Sequence, residues 1–259
     1  MTDIGAWFHS LPPFTRWWLT LSVAFPVAGR LGLLSPHLMA WLVRPFISQF
    51  QIWRPFTSVF FYPITPQTGF HFLMNLYFLY SYSLRLETGI FDGKPADYSV
   101  MLIFTWLGSL IAGTVMGFPW LMDTMVIAVL HVWCQINYDV VVSFWFGTQF
   151  KAFLLPWVLL LFNLILSGSF ATQLAGILIG HSYYFLKFKY PTDFDGPALL
   201  PTPGILHRFF PNHRGISGAS PRNFMAPSAR QPSGDHAPPP NVSNSNRHNW
   251  GQGHVLGGN

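Results

Sequence analysis

Two histidines and an asparagine are the residues of this sequence whose types and spacing suggest chemistry. His71 and Asn75 are four residues apart, which places an imidazole and an amide one turn apart on the same face of a helix. His181 directly follows Gly176 and Gly180, two glycines with the spacing of a helix-packing stripe. Because an imidazole can act as a general base, these residues indicate nucleophilic catalysis if a nucleophile accompanies them.

A metal centre is not predicted from the histidines. His71, His131 and His181 lie in three different apolar segments, without a His-Glu-x-x-His pair, and the nearby carboxylate of Asp123 is at the edge of its segment. The pair of His71 and Asn75 has a second interpretation, in which the two side chains simply satisfy each other inside a helical bundle. No cofactor is predicted.

The composition indicates a membrane protein built from helices. Hydrophobic residues make up 51% of the chain and charged residues only 9%, against about 25% charged residues in an average soluble domain. No residue carries a formal charge from Tyr98 to Met122 or from Ala152 to Leu186. Runs of this length are typical of bilayer crossings. We therefore predict an all-α, polytopic membrane protein.

Six spans follow from the apolar runs and the polar residues between them. They are Phe14 to Leu34, Phe70 to Leu84, Tyr98 to Gly117, Trp120 to Asn137, Ala152 to Leu166 and Phe170 to Leu186.

The orientation follows from the basic residues near the spans, because cytosolic loops carry an excess of lysine and arginine. With the amino terminus in the cytosol, six basic residues lie near the cytosolic side and three on the other side. The six are Arg16, Arg85, Lys94, Lys151, Lys187 and Lys189, and the three are Arg30, Arg44 and Arg54. Both termini are therefore predicted to be cytosolic. The net charge of +5 indicates anionic lipid of the bilayer as a partner and no nucleic acid.

The chain is predicted to divide near residue 190. Residues 1–190 hold the six spans and a long lumenal loop at 35–69, whereas residues 191–259 carry half of the 22 prolines and are predicted to form a disordered cytosolic tail. Within the tail, residues 205–210 are predicted either as a short interfacial helix or as a collapsed apolar patch.

Trp53 and Arg54 are predicted to anchor the lumenal loop at the membrane surface. An arginine beside a tryptophan prefers the headgroup boundary, so the guanidinium of Arg54 is expected to be solvated by lipid phosphate. At the other side of the membrane, Glu87 beside Arg85 is expected to fix the cytosolic end of the second span.

With this loop and these polar groups, the sequence resembles the rhomboid superfamily of intramembrane serine proteases. In that family the second helix supplies a histidine and an asparagine to the oxyanion site, and the sixth supplies the base beside a glycine stripe. The residues that match are His71, Asn75 and His181. The resemblance implies a six-span, rhomboid-like helical bundle.

The rhomboid serine, which lies in Gly-x-Ser-Gly on the fourth helix, has no match here. The span at 120–137 contains no serine, and Gly-x-Ser-Gly occurs at 215–218, in the hydrophilic tail. A disordered tail cannot hold a hydroxyl within reach of the imidazole. A pseudoprotease without catalytic residues is therefore expected. Cys134 activated by His181 is the remaining proteolytic alternative, against burial as a small core residue.

Within the superfamily, the sequence is most similar to the Derlins, the pseudoprotease branch of the endoplasmic reticulum membrane, and to the Derlin-one type among them. The segments that carry this similarity lie between residues 1 and about 190 and are 3–5, 50–55, 75–80, 85–89, 91–93, 95–98 and 142–148.

The end of the tail, residues 247–257, is similar to the Derlin motif that binds the AAA ATPase called valosin-containing protein. Trp250 and Leu256 are suited to apolar pockets, while Gly251 and Gly253 allow the backbone to lie against a strand edge.

The resemblance implies a non-proteolytic component of endoplasmic-reticulum-associated degradation. Such a protein engages misfolded lumenal and membrane substrates, helps their retrotranslocation to the cytosol, and works with the ATPase and a ubiquitin ligase complex.

Association into homo- or hetero-oligomers is left open, with the stripe at Gly176 and Gly180 as a suitable surface. The alternatives are an active intramembrane protease that uses Cys134 and His181, or a channel or transporter for small solutes.

Overall fold

A helix forms at each of the six predicted spans in the computed structural model of the protein, which describes residues 4–143, 147–167, 170–194, 196–197 and 199–212. In chain order the helices are α1 (Ile4–Ser10), α2 (Pro13–Arg30), α3 (Pro36–Met39), α4 (Val43–Ser48), α5 (Arg54–Phe60), α6 (Gly69–Arg85), α7 (Pro95–Met116), α8 (Met122–Ile136), α9 (Leu155–Ser167), α10 (Ala171–Tyr184), α11 (Tyr190–Asp193) and α12 (Gly204–Phe209). The six spans correspond to α2 and to α6 through α10. The predicted helical architecture is confirmed.

A short antiparallel ribbon is an addition that the sequence analysis did not predict. Strands β1 (Val141–Ser143) and β2 (Gln149–Lys151) follow α8, with Val141 opposite Lys151. The run of valines from 140 to 142 favours this conformation because β-branched side chains fit a strand better than a helix.

The helices differ in their ability to cross a membrane. Among the described residues, α7 is the helix that is long and apolar enough to do so by length and composition. It ends at Met116 because Gly117 adopts the left-handed conformation, with φ of 75°. The later helices α8, α9 and α10 have 15, 13 and 14 residues in α-helical conformation. A 3₁₀ turn at Ala152–Leu154 leads into α9, and α10 continues without a break through a π-helical segment, Phe185–Lys189, into α11.

Helix α8 lies at the centre of the bundle, where α6, α7, α9 and α10 all pack against it. Twelve of its fifteen residues are buried. Its closest neighbour is α10, which approaches through glycines. A Cβ atom on Gly176 would lie 2.7 Å from the carbonyl oxygen of Thr124, and one on Gly180 would overlap the carbonyl oxygen of Ala128. The stripe therefore packs against a helix of the same chain.

A buried carboxylate connects the first two spans. Glu87 accepts hydrogen bonds from the backbone N–H groups of Phe14 (3.0 Å) and Thr15 (2.8 Å) and from the Thr15 hydroxyl (2.8 Å). The hydroxyl of Tyr98 reaches that of Ser83 at 2.7 Å, and Ser83 reaches Thr15 at 2.7 Å. The start of α2, the end of α6 and the start of α7 thus share one hydrogen-bonded chain.

Glu87 thus holds the end of the second span in place, as expected, through the first residues of α2. Arg85 takes no part in this, because residues two apart on a helix point in different directions, and its guanidinium lies over the rings of Tyr82 and Trp133, at 5.6 and 5.1 Å. Burial raises the pKa of the Glu87 carboxyl, and the hydrogen bonds from Thr15 and Phe14 oppose this rise.

Replacement of this carboxylate tests its contribution to stability. Glu87→Gln is expected to lower the free energy of unfolding in detergent micelles by about 1 to 3 kcal/mol, because an amide NH₂ group would then face backbone donors. Asp92→Asn makes the same chemical change at an exposed position five residues away, and it is expected to leave the free energy nearly unchanged. Equal effects of the two substitutions would exclude a structural role for the Glu87 carboxylate.

Candidate functional site

The main polar cluster lies where α6 and α8 begin. The Tyr62 hydroxyl is 2.7 Å from Nδ1 of His71, and the amide nitrogen of Asn75 is 3.4 Å from the same ring atom. Asn75 also donates a hydrogen bond to one carboxylate oxygen of Asp123, and the other oxygen lies 3.8 Å from His71 Nδ1. One phenol, one imidazole, one amide and one carboxylate thus meet at the same end of the bundle.

A small cavity adjoins this cluster. Its volume is about 20 Å³, and Asn163 of α9 and Gln173 of α10 line it together with His71 and Asn75. A space of this size accommodates about one water molecule. The described lining contains neither a serine nor a cysteine. The cluster can therefore exchange hydrogen bonds and a proton, but its lining supplies no hydroxyl or thiol to attack a substrate.

His181 does not join His71 and Asn75, so the expected grouping of these three residues is corrected. Gln173 is the α10 residue at the cavity, and His181 follows it by eight residues, or about 12 Å along a helix axis. The imidazole of His181 is solvent- or lipid-exposed, and its ring centre lies 5.7 Å from that of His131 on α8.

The proteolytic alternative of Cys134 and His181 gains no support from their surroundings. Cys134 is completely buried, near Tyr82 and Arg85. His131, one turn earlier on α8, is the residue in ring contact with His181. His131 is itself 1% exposed, and neither of its ring nitrogens has a hydrogen-bond partner among the described residues.

Arg54 is a buried residue, which corrects the expectation that lipid phosphate solvates its guanidinium. The side chain is 1% exposed. Its Nη1 donates hydrogen bonds to the carbonyl oxygens of His37 (2.8 Å) and Ala40 (2.7 Å), and its Nε donates to the side chain of Gln51. The fixed fork of a guanidinium suits several acceptors at once. Arg54 thus fastens the loop at 35–69 from within, whereas the neighbouring Trp53 is exposed.

Sequence reasoning missed two members of the cluster, Asp123 and Tyr62, and one polar residue of the adjoining cavity, Gln173. Asp123 was noted as an isolated acid at the edge of its span, and nothing in the sequence indicated that it meets Asn75. Tyr62 lies in the loop before α6, where the pattern of spans carries no information. Gln173 is a polar residue three positions before Gly176 in an apolar helix, and the cost of such a residue in a membrane is a signal that identifies it.

The predicted tail site at Trp250, Gly251, Gly253 and Leu256 lies outside the described residues. The last described helix, α12, lies at the segment 205–210 that was predicted either as a short interfacial helix or as a collapsed apolar patch, and it packs against α7.

Comparison with known proteins finds close similarity along the whole chain. The model of the Der1-like family matches residues 11–204. Derlin-1 of Homo sapiens is 49% identical over 259 residues, which cover 99% of each chain. The Derlin-1 proteins of Drosophila melanogaster and Caenorhabditis elegans are 42% and 41% identical, over 99% of this chain and 100% of theirs.

The role of Arg54 in the loop can be tested with a charge-conserving change. Arg54→Lys is expected to lower the free energy of unfolding by about 1 to 3 kcal/mol, because an ammonium group cannot reproduce the forked set of bonds to His37, Ala40 and Gln51. Protease accessibility of the loop at 35–69 is expected to rise as well.

Arg44→Lys is the matched control, since Arg44 lies exposed in the same loop. It is expected to change neither the stability nor the cleavage pattern. A stable, protease-resistant Arg54→Lys protein would contradict the assignment of Arg54 as the interior fastener of the loop.

Proposed function

Because the chain belongs to the Der1-like family and is of the Derlin-1 type, we propose that it is a non-proteolytic component of endoplasmic-reticulum-associated degradation. Family membership makes it a membrane protein of a rhomboid-like, non-protease group. The observation that carries the proposal is the similarity to Derlin-1 proteins over 99% of the chain, which includes the tail as well as the bundle.

The polar cluster supports a role without bond cleavage. His71, Asn75, Asp123 and Gln173 offer donors and acceptors at the start of α6, α8 and α10, but the cavity lining has no nucleophilic side chain. These side chains are largely buried against one another, with Asn75 3% and Gln173 2% exposed, and their cavity holds about one water molecule. The cluster is therefore suited to hold α6, α8 and α10 together, and its lining offers no hydroxyl or thiol for cutting a peptide bond.

The short helices support an effect on the bilayer. The uncharged part of α9 with the turn before it, 152–167, and that of the helix that begins with α10, 171–186, are each about 24 Å long, whereas the hydrocarbon core of the endoplasmic reticulum is about 27 Å thick. Lipids that match such helices must thin locally. A thinner bilayer beside the polar cluster shortens the apolar path that a misfolded protein crosses during retrotranslocation.

The tail supplies the proposed link to a motor. Trp250 and Leu256 would fill apolar pockets on valosin-containing protein, and Gly251 and Gly253 would let the backbone pair with a strand edge. In this arrangement both termini face the cytosol, misfolded substrates enter from the lumen or the membrane, and a ubiquitin ligase complex of the same membrane marks them. The ATPase then provides the force that the bundle itself cannot generate.

Substitution of the tail anchors tests recruitment and degradation together. The double variant Trp250→Ala with Leu256→Ala is expected to reduce co-precipitation of the ATPase at least tenfold, since it removes both apolar anchors. Turnover of a misfolded lumenal reporter in cells is expected to slow in parallel.

Phe224→Ala with Val242→Ala is the matched control, because it removes one aromatic and one aliphatic side chain from the same tail. It is expected to leave both readouts unchanged. A further variant, Cys134→Ala with His181→Ala, is expected to keep reporter turnover intact. Loss of turnover in that variant with retained ATPase binding would favour the protease over the present proposal.

A further inference from the structure

Polar contacts fix the segment before α12 to the bundle. The Thr202 hydroxyl donates a hydrogen bond to the carboxylate of Asp97 in the first turn of α7. The same carboxylate pairs with the ammonium group of Lys187 at 3.3 Å, and this ammonium group donates to the carbonyl oxygen of Leu200 at 3.0 Å. Lys187 lies in the π-helical continuation of α10. These four residues, which we call the Asp97 cluster, connect the chain before α12 to two helices of the bundle.

Two side chains determine how α12 is turned. The ring of Phe210, which directly follows the helix, lies 5.0 Å from that of Phe14 at the start of α2. Leu206, four residues earlier, is half-buried, and α12 packs against α7. Because residues four apart lie on the same side of a helix, this side of α12 faces the bundle.

The other side chains of α12 are exposed, and they form an apolar and a polar group. Ile205 and Phe209, also four residues apart, are 65% and 70% exposed. At about 100° per residue, they lie beside Leu206 around the helix, so the apolar surface continues from the bundle-facing side onto the outside. His207 and Arg208 are exposed on the opposite side of the helix. Helix α12 is therefore amphipathic.

The neighbours of α12 determine its level relative to a bilayer. Among the described residues, α7 is the helix that is long and apolar enough to cross a membrane. Its first turn holds Asp97, and no residue from Tyr98 to Met122 carries a formal charge. The start of α7 therefore marks the boundary between headgroups and acyl chains. Because the Asp97 cluster holds α12 at this level, its exposed apolar side chains lie beside the bilayer.

We propose that α12 is an interfacial anchor that binds the phospholipid surface around the bundle. Ile205 and Phe209 insert between the acyl chains close to the headgroups, while Arg208 lies at the lipid phosphates and His207 in water. In the proposed topology this surface belongs to the cytosolic leaflet, whose anionic lipids attract an arginine. The interfacial helix and the apolar patch predicted from the sequence thus coexist, because one side of α12 packs on the bundle and the adjoining side lies in lipid.

The anchor needs the bundle as well as the lipid. Two apolar side chains on a helix of six residues bind a membrane weakly by themselves. The Asp97 cluster therefore has to hold α12 at the surface. This inference goes beyond the proposed function and depends neither on the ATPase nor on a substrate.

The fluorescence of a nitrobenzoxadiazole label on the full chain tests the anchor. The label is attached to Phe209→Cys, or to His207→Cys as the matched control, in a protein whose buried Cys134 is replaced by alanine. The protein is reconstituted alone into vesicles of phosphatidylcholine and phosphatidylserine. Lipids with a nitroxide near the headgroup end of the acyl chain are expected to quench the label at position 209. Aqueous iodide is expected to quench it about threefold less than the label at position 207.

Two results would overturn the anchor. Equal quenching by iodide at positions 207 and 209 would place the whole helix in water. Protection from iodide without quenching by the nitroxide lipids would show that a protein surface, such as a second copy of the chain, covers α12 in place of lipid.

The Asp97 cluster is tested with the same label at position 209. Thr202→Val with Lys187→Met removes both partners of Asp97 and is expected to lower the quenching by nitroxide lipids about twofold or more, because α12 then leaves the surface. Thr192→Val with Lys189→Met makes the same two changes at exposed positions nearby and is expected to leave the quenching unchanged.

Equal quenching in the two double variants would contradict the role of the Asp97 cluster. Size-exclusion chromatography of both variants identifies a protein that has failed to fold. Because no ATPase is present in these vesicles, failure of the anchor is distinguishable from failure of the proposed degradation role.

Discussion

The contact between α8 and α10 determines where the other helices of the bundle lie. The backbones approach so closely at Gly176 and Gly180 that any larger residue would collide with the carbonyl oxygens of Thr124 and Ala128. Close approach of this kind replaces the hydrophobic driving force, which is absent between helices surrounded by lipid. With α10 held against it, α8 is enclosed on its remaining sides by α6, α7 and α9.

This arrangement places polar groups at the ends of helices. The starts of α6 and α8 meet through Asn75 and Asp123, with Gln173 of α10 at the same cavity. At the opposite end of α6, Glu87 accepts bonds from the first residues of α2. In the loop between these helices, Arg54 binds backbone carbonyl oxygens. Asn75, Glu87 and Arg54 are each buried and hydrogen-bonded, which is the condition for keeping polar side chains in an apolar bundle.

Much of the fold could be predicted from the sequence because long runs of residues without charge are typical of helices within a bilayer. The six segments became α2 and α6 to α10 with ends shifted by a few residues. The partners of individual polar residues could not be predicted in this way. His181 and Gln173 share α10, and only the register of α10 against α8 decides that Gln173 reaches the cavity. Arg54 was placed at the membrane surface because it follows Trp53. Its acceptors are mostly backbone carbonyl oxygens, which no sequence pattern marks.

Bilayer thickness around the reconstituted protein is the most direct measure of whether the short helices act on the membrane. Electron cryomicroscopy of the protein in lipid nanodiscs wide enough to contain undisturbed lipid would give the distance between the two phosphate layers. Beside α9 and α10 this distance is expected to be a few ångströms smaller than at the rim of the disc, because the uncharged parts of these two helices, 152–167 and 171–186, are about 24 Å long. A uniform distance from the rim to the protein surface would contradict the account.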